Sequence, residues 1–274
     1  MFTDGLNVPV FAAVNYTNIY DKIKLFKELN IFFEVYFDAD NLSVLNNDQL
    51  NELNSVIHSN KMLVTVHAPF WDLSLGSSDA EIRKLSVMRI ITSLNAAKTL
   101  DAQNVVFHSG YTNTAFLPRG KNEWIKNMID SIGGILEYSE SFGLAISLEN
   151  TYEPDPEVLL SAVSAFPKKL KLCFDVGHYK AFGKASLEEW IDSAAPYLKE
   201  IHLHSNFGDS DAHLALDDGN IDFERCFERL VSKKANPIIT IENKNDAYLA
   251  RSVKLLKSER FFRILNNFRP DLSR

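Results

Sequence analysis

The sequence predicts an α/β protein of the (β/α)8 TIM-barrel class, formed as a single domain over residues 1–274. Short apolar runs rich in β-branched and aromatic residues alternate with longer amphipathic stretches along the whole chain, which is the pattern of repeated βα units. The length of 274 residues fits one barrel of this kind. No Pro-, Gly- or Ser-rich hinge divides the chain, so a second domain is not needed.

Eight strands are predicted, each followed by a helix. They cover residues 8–14 (VPVFAAV), 32–37 (FFEVYF), 62–67 (MLVTVH), 104–109 (NVVFHS), 144–149 (LAISLE), 170–175 (LKLCFD), 200–205 (EIHLHS) and 237–242 (PIITIE). The clearest helix covers residues 79–100, where a period near 3.6 predicts an apolar face that packs on the outside of the barrel. This face contains Ile82, Leu85, Val87, Ile90, Leu94, Ala97 and Leu100. Asp79 and Ser186 stand where N-caps belong, and residues 260–274 form a C-terminal appendage without an assigned structure.

Composition and charge argue against several classes of protein. The chain is 46% hydrophobic and 24% charged, and no apolar run approaches the roughly 20 residues that span a bilayer. A net charge of −7, without a run of Lys and Arg, argues against a nucleic-acid partner. Cys173 and Cys226 form no disulfide framework, and the N-terminus has no basic leader before its apolar stretch, so a cytoplasmic location is expected. No Gly-rich phosphate loop follows a strand, so no nucleotide cofactor is implied.

Ionisable residues stand at the ends of six of the predicted strands and in the segments that follow them. They are His67, His108, Glu149, Asp175, His202, His204 and Glu242, followed by His178 and the Asp211-x-His213 pair. The C-terminal ends of barrel strands open into the active-site mouth, so these residues are expected to converge. Of the seven histidines in the chain, only His58 falls in a predicted outer helix. Carboxylates that converge repel one another unless cations compensate, and mixed imidazole and carboxylate ligands suit Zn²⁺ or Mn²⁺.

Six segments together resemble the xylose isomerase-like TIM-barrel superfamily, which contains sugar and sugar-phosphate isomerases and epimerases together with endonuclease IV (AP endonuclease family 2). They are VHAPFWDLSLGSS (66–78), VVFHSG (105–110), LENTYEPDPE (148–157), LCFDVGH (172–178), IHLHSNFGDSDAHLALDDGNIDF (201–223) and TIEN (240–243). The resemblance covers the third strand to the eighth. It is specific for the superfamily and much less specific for any one reaction.

The resemblance to ketose epimerases implies a four-ligand metal site formed by Glu149, Asp175, His202 and Glu242. In those enzymes the two glutamates both bind the metal and act as acid and base on opposite faces of the substrate carbon. The resemblance therefore implies that Glu149 and Glu242 are the catalytic residues of this chain. The metal polarises the substrate oxygens and lowers the cost of the enediolate that forms when the proton is removed.

The resemblance to endonuclease IV covers more positions, because its three-zinc cluster uses further ligands. These map to His67, His108, His178, Asp211 and His213, which are additional metal or substrate positions in this chain. Two or three metals suit attack of a metal-bound hydroxide on a phosphodiester. Against this reading stand the acidic charge and the absence of evident basic or intercalating loops that would hold a duplex. Many sugar-phosphate isomerase/epimerase relatives also carry these positions.

The chain departs from the ketose epimerases after the seventh strand. Their Glu-x-Asn-Arg, whose Arg binds the sugar, is replaced by residues 205–208 (SNFG), which argues against a free ketohexose as the substrate. Residues 218–220 (DGN) replace the usual Gly-x-Gly before Asn-Ile-Asp.

Several other residues are candidates for substrate binding, and each has a structural alternative. Glu34 either contacts substrate or forms a structural ion pair, and Phe70 and Trp71 either stack on a sugar ring or pack within their loop. His204 lies two residues from His202 on the same strand face and is the rival metal ligand. Lys244 and Arg119 are candidates to meet a substrate phosphate, or are solvated surface charges.

The sequence therefore predicts a divalent-metal enzyme, with Zn or Mn, that moves a proton between carbons of a sugar or sugar phosphate. The alternative is a metal-dependent phosphodiesterase of the endonuclease IV type. A barrel that only binds a ligand is a third hypothesis, and it predicts no tightly held metal. The sequence does not identify the substrate or the oligomeric state.

Overall fold

The computed structural model describes residue 6 and residues 8–112 and 120–272. Eight parallel strands close into a barrel in the order of the sequence. They are β1 (Val10–Asn15), β2 (Phe32–Tyr36), β3 (Val64–His67), β4 (Val105–His108), β5 (Ile146–Glu149), β6 (Leu170–Asp175), β7 (Leu198–Leu203) and β8 (Ile238–Ile241). The predicted (β/α)8 barrel is confirmed, and each predicted strand overlaps one of these strands.

Helices surround the barrel. Those in the described part of the chain are α1 (Ile19–Leu29), α2 (Ala39–Val44), α3 (Asn47–Ser59), α4 (Ala80–Thr99), α5 (Lys121–Glu140), α6 (Glu157–Ala165), α7 (Val176–Phe182), α8 (Leu187–Ala194), α9 (Phe223–Ser232), α10 (Asp246–Leu256) and α11 (Glu259–Leu265). Residues Tyr16–Asn18 form a single 3₁₀ turn after β1. No helix among the described residues is long and apolar enough to cross a membrane.

The layer between the strands and the helices is a continuous apolar core. Phe26 of α1 stacks on Phe33 of β2 with ring centroids 4.6 Å apart, and Trp190 of α8 stacks on Phe174 of β6 at 5.8 Å. All four rings are buried. Strands covered on both faces read as nearly continuous apolar runs, which is why polar residues at their ends stand out.

The register of the strands brings polar residues of neighbouring strands to the same height. His108 of β4 pairs with Glu149 of β5, and Asp175 of β6 pairs with His202 of β7. The second pairing depends on an irregularity, because Leu172 pairs with Leu198 whereas the next residue of β6 pairs with Glu200. Lys199 is therefore an extra residue in β7, and this β-bulge sets Asp175 beside His202.

The two predicted N-caps are confirmed. Asp79 Oδ1 accepts a hydrogen bond from Glu81 N at 2.8 Å at the start of α4, and Ser186 Oγ accepts one from Glu189 N at 3.2 Å at the start of α8. Each cap satisfies a backbone N–H that has no partner within its helix.

The predicted inward face of α4 is correct at its C-terminal half and wrong at its N-terminal half. Ile90, Leu94, Ala97 and Leu100 are buried, whereas Ile82 and Leu85 are each 44% exposed. In the first half the buried position is Ser86, whose hydroxyl accepts a hydrogen bond from Ser74 N at 2.9 Å. A loop rather than the barrel wall lies against this end of the helix, so its inward position is polar.

The first part of the C-terminal appendage belongs to α11 (Glu259–Leu265), which packs beside α9. Phe261 and Leu265 are buried, and the ring of Phe261 lies 5.8 Å from that of Phe227 on α9. Cys173 and Cys226 are both buried and free.

Candidate metal centre

The ionisable residues predicted at the strand ends gather at the carboxyl-terminal rim of the barrel. The last residues of strands β3 to β6 are His67, His108, Glu149 and Asp175. His202 lies inside β7, while His204 and Glu242 are the first residues after β7 and β8. His178 lies in the first turn of α7, and Asp211 and His213 lie in the segment after β7.

The four predicted metal ligands meet around one atom, the Nδ1 of His202. This nitrogen lies 3.1 Å from Glu242 Oε1, 3.3 Å from Glu149 Oε1 and 4.0 Å from Asp175 Oδ2. His202 is fully buried. One carboxylate from each of three strand ends therefore faces the same imidazole edge.

Glu149 is shared with a second group of side chains. Its Oε2 lies 3.0 Å from His67 Nε2 and 3.1 Å from His108 Nε2. His67 Nδ1 lies 2.7 Å from the carbonyl oxygen of Ala68, so its N–H donates there and leaves Nε2 to face Glu149. The carboxylate of Glu149 thus lies between the His202 group and the pair of histidines from β3 and β4.

A third group is arranged around Asp211. Asp211 Oδ2 lies 3.3 Å from His178 Nε2 and 3.2 Å from His213 Nε2, and its Oδ1 lies 3.4 Å from His204 Nε2. His213 has a positive φ of 47°, a conformation that non-glycine residues rarely adopt and that concentrates at functional sites. The two neighbouring histidines at the end of β7 therefore belong to different groups, with His202, inside the strand, at the Glu149 centre and His204, the residue after it, beside Asp211.

Burial and charge at the rim act on the pKa values in opposite directions. Burial raises the pKa of Glu149, but the positive charge of His202 and the hydrogen bond from His108 outweigh it and hold the pKa well below its usual value. Burial likewise raises the pKa of Glu242, but the positive charges of His202 and His213 act together against burial, and the pKa is lowered. Burial lowers the pKa of His67, but its hydrogen bond to Glu149 and the negative charges of the nearby glutamates together outweigh burial and bring the pKa to about 9.

Both glutamates at His202 are therefore ionised at neutral pH. In the protein alone, protonated imidazoles offset their charge. A divalent cation offsets the same charge while releasing those protons, because imidazole binds metal in its neutral form.

A polar layer lies directly beneath this centre, inside the barrel, and the sequence analysis did not identify most of it. Glu34 Oε2 lies 3.3 Å from His202 Nε2, on the ring edge opposite Nδ1. Glu200 accepts a hydrogen bond from Asn104 Nδ2 at 2.7 Å and another from the Thr240 hydroxyl. Burial and the charge of Glu34 raise the pKa of Glu200 to about 8. Glu34 therefore lies on the interior side of His202 within a hydrogen-bond network.

One sequence signal could have revealed Glu200. It lies two residues before His202, and alternate residues of a strand point to the same face. A charged residue in that position of an apolar barrel strand has to face the interior.

Of the two aromatic candidates in the loop after β3, Phe70 lies against the centre. Its ring centroid is 5.0 Å from that of His108 and 5.5 Å from that of His67. Trp71 contacts Phe70 at 5.3 Å and is 72% exposed. Lys244 is exposed, with its Nζ 5.3 Å from the centre of the Tyr248 ring on α10. Arg119 lies outside the described residues.

The donor atoms at this rim fit a metal ion. Glu149 Oε1, Asp175 Oδ2 and both ring nitrogens of His202 are buried, and none of them makes a hydrogen bond to the described part of the chain. Buried polar atoms without partners are rare, because each costs the free energy of its desolvation. Candidate ligand atoms of His67, His202 and Glu242 lie within 4.8 Å of one another, and the same is true of the His67, His108 and Glu149 group.

Comparison with known proteins places this geometry in context. A family model described as xylose isomerase-like TIM barrel matches residues 31–259. The uncharacterized protein MJ1311 of Methanocaldococcus jannaschii is 32% identical over 206 residues, which cover 71% of this chain and 69% of that protein. A second protein of the same organism, MJ1614, is 27% identical over 249 residues, covering 88% of this chain and 92% of that protein.

Solved structures agree with this match. A protein described as D-tagatose 3-epimerase-like is 27% identical with a TM-score of 0.82, covering 94% of this chain and 98% of that one. The TTHB071 protein from Thermus thermophilus, soaked with ZnCl₂, is 25% identical with a TM-score of 0.78, covering 91% and 98%. An L-ribulose 3-epimerase shares the fold at 12% identity and a TM-score of 0.77, covering 94% and 95%.

Proposed function

Because the chain belongs to the xylose isomerase-like TIM-barrel family, we propose that it is a divalent-metal-dependent isomerase or epimerase of a sugar or sugar phosphate. Glu149, Asp175, His202 and Glu242 hold the metal, which is Zn²⁺ or Mn²⁺ by the chemistry of these ligands. Glu149 and Glu242 also move the proton. The similarity to proteins described as sugar 3-epimerases supports this choice of reaction.

The observation that carries the proposal is that two carboxylates lie close to the same imidazole nitrogen. Glu149 Oε1 and Glu242 Oε1 lie 3.3 and 3.1 Å from His202 Nδ1, and they come from strands β5 and β8 on different sides of the barrel mouth. A substrate bound between them has one carboxylate at each face of a carbon. A bound divalent cation supplies a Lewis acid that polarises the substrate's carbonyl and hydroxyl oxygens.

In this arrangement one glutamate accepts the proton from the carbon beside the carbonyl group. The other glutamate first takes a proton from solvent and then donates it to the opposite face, which inverts that carbon, while the first glutamate releases its proton to solvent. Both groups have lowered pKa values, so either is ionised and able to accept the first proton. Phe70 covers His67 and His108 at the edge of the centre and excludes water from that side.

A metal-dependent phosphodiesterase is the second candidate, favoured by the number of potential ligands. Besides the four residues at His202, the rim carries the His67, His108 and Glu149 group and the histidines around Asp211. Clusters of two or three metals suit hydrolysis by a metal-bound hydroxide.

Proton exchange with solvent tests the leading proposal. Metal-loaded protein is incubated in D₂O with a panel of ketopentoses, ketohexoses and their phosphate esters, and products are analysed by NMR. We expect deuterium at the carbon next to the carbonyl group of at least one sugar, together with its epimer or isomer. The proposal fails if the whole panel stays unlabelled while DNA carrying an abasic site is cleaved in a chelator-sensitive way.

The variant Glu242→Gln tests the role of one carboxylate. It keeps the size of the side chain but cannot accept a proton, so exchange should fall about 10²- to 10⁴-fold. Glu137→Gln, at an exposed position of α5, makes the same chemical change away from the rim and should leave exchange unchanged. Metal content is measured in both variants, because Glu242 is also a proposed ligand. Exchange at the wild-type rate in Glu242→Gln contradicts the assignment.

A further inference from the structure

The third group of potential ligands, around Asp211, lies beside the His202 centre and is built from three separate segments. His178 comes from the first turn of α7, His204 from the end of β7, and Asp211 and His213 from the loop that follows. Candidate ligand atoms of these four residues all lie within 4.8 Å of one another. The resemblance to endonuclease IV covers three of them, and His204 is an addition to that set.

Asp211 lies close to all three histidines of this group. Its two carboxylate oxygens divide the histidines, with Oδ2 facing His178 and His213 at 3.3 and 3.2 Å and Oδ1 facing His204 at 3.4 Å. Asp211 Oδ1 makes no hydrogen bond within the described part of the chain. This oxygen is thus directed at His204 without forming a hydrogen bond to it.

The strongest evidence that this group binds a cation comes from the surroundings of His204. It is fully buried, and neither of its ring nitrogens makes a hydrogen bond to a described residue. Its Nε2 also lies 3.2 Å from Asp175 Oδ1, an oxygen that already accepts a hydrogen bond from His178 N at 2.5 Å. A buried imidazole with both nitrogens unsatisfied is costly, and a cation bound by one nitrogen removes much of that cost.

The backbone makes room for this ring at one position. A Cβ atom added to Gly177 would lie 1.9 Å from Cε1 of His204 and 2.3 Å from each of its ring nitrogens. On the other side, the ring of His213 is stacked on His204 with centroids 3.9 Å apart. His204 is therefore confined between α7 and the loop after β7, and its orientation is fixed by packing.

We propose that His204 completes a four-ligand cation site with His178, Asp211 and His213, next to the centre at His202. Three imidazoles and one carboxylate match the preferences of Zn²⁺, which is usually four-coordinate and tetrahedral in structural sites. Four protein ligands leave no open position for substrate or for a nucleophilic water. The site therefore serves to fix structure, whatever reaction the His202 centre catalyses.

The position of the site indicates what it fixes. The loop after β7 is closed at its base by paired backbone hydrogen bonds between Ser205 and Leu214. Asp211 and His213 lie within that loop, whereas His178 lies on α7. A cation bound by all four residues ties the loop to α7 at the edge of the barrel mouth. A second ion in this protein is then no sign of hydrolysis.

The experiment counts bound zinc and locates it. Wild-type protein and the variants His204→Asn and His58→Asn are saturated with Zn²⁺, desalted and analysed by inductively coupled plasma mass spectrometry. His58 is an exposed histidine on α3 and is the matched control. We expect His204→Asn to retain one ion fewer than wild type, or to bind that ion at least roughly 10-fold more weakly. His58→Asn should bind as wild type does.

Two further measurements separate a site from a folding defect. Circular dichroism reports whether His204→Asn folds, and Asp211→Asn provides a second variant of the same site. Hydrogen exchange of residues 205–214 should be slower with Zn²⁺ than with chelator in wild type, and equal under both conditions in the variants. If folded His204→Asn keeps the same number of ions at unchanged affinity, the fourth-ligand assignment is overturned. The D₂O assay with sugars measures the His202 centre separately, so either proposal can fail alone.

Discussion

Replacement of Gly110 by alanine should destabilise the protein because two separate costs meet at this residue. Gly110 follows His108 by two residues and has a positive φ of 73°. A side chain in this region of backbone space costs about 1–2 kcal/mol. A Cβ atom would also lie 2.1 Å from the carbonyl oxygen of Leu73 and 2.6 Å from Cα of Ser74.

Both contacts at Gly110 are with backbone, so neither can be relieved by turning a side chain. The loop after β3 has to move by about 1 Å, and overpacking of this kind adds about 1–3 kcal/mol. The total is about 2–5 kcal/mol. That loop is held to the same strand end by a hydrogen bond from Leu75 N to Ser109 O at 3.0 Å, and it carries Phe70, so the displacement also reaches the candidate centre.

Gly143→Ala is the matched control for this prediction. Gly143 also has a positive φ, of 65°, but a Cβ atom there meets nothing within 4 Å. It therefore incurs the conformational cost alone. Urea unfolding of chelator-treated protein, followed by circular dichroism, should show Gly110→Ala to be less stable than Gly143→Ala by about 1–3 kcal/mol. Equal stability of the two variants refutes the argument from close packing.

Three further predictions concern metal, pH and substrate. Chelation should lower the melting temperature and added Zn²⁺ should restore it, by the equivalent of about 2.7 kcal/mol at a hundredfold excess over Kd; identical melting curves contradict bound metal. Since the pKa of Glu200 is raised to about 8, its contribution to stability is complete below its unfolded value and is lost as pH rises through about 8. Glu200→Gln in chelated protein should not lose stability in this pH range. If the melting temperatures of this variant and of wild type change with pH in the same way, Glu200 is not the cause of the loss. Phe70→Ala should raise KM for a substrate by about 2- to 10-fold, and Trp71→Ala, at an exposed ring, should have less effect; equal effects contradict a contact role for Phe70.

The barrel could be predicted because its signals are local. Each strand is a short run of apolar residues, and the polar residue that closes the run marks the end exposed at the mouth. The same reasoning located His67, Glu149 and Asp175 at strand ends, and the structure brings them to one rim.

The division of the rim into groups could not be predicted in the same way. His202 and His204 lie on one face of β7, so strand alternation treats them alike. They separate because the first turn of α7 and the loop after β7 bring Asp211 to His204. Glu34 and Glu200 lie deeper in the barrel, and their proximity depends on the register of strands that are far apart in sequence.

One prediction in the helical layer was wrong, and one segment there was left without an assigned structure, for different reasons. Periodicity gives the direction of a helical face but not how far the neighbouring layer extends, so Ile82 and Leu85 were assigned to the core although the α4 helix passes beyond it there. The short helix α11 has seven residues and depends on packing of Phe261 against α9, which the local sequence does not reveal.

The bulge at Lys199 determines which face of β7 each of the following residues occupies. Glu200, His202 and His204 share one face of the strand, so they turn inward or outward together. Deletion of Lys199 would require the rest of β7 either to shift along β6 or to present its other face to the barrel. The second outcome would expose three ionisable side chains to the apolar layer under the helices at once. Deletion of one residue outside the candidate metal centre can therefore turn three polar side chains away from the barrel interior. The length of β7 at this point is a stricter constraint than the identity of the residue.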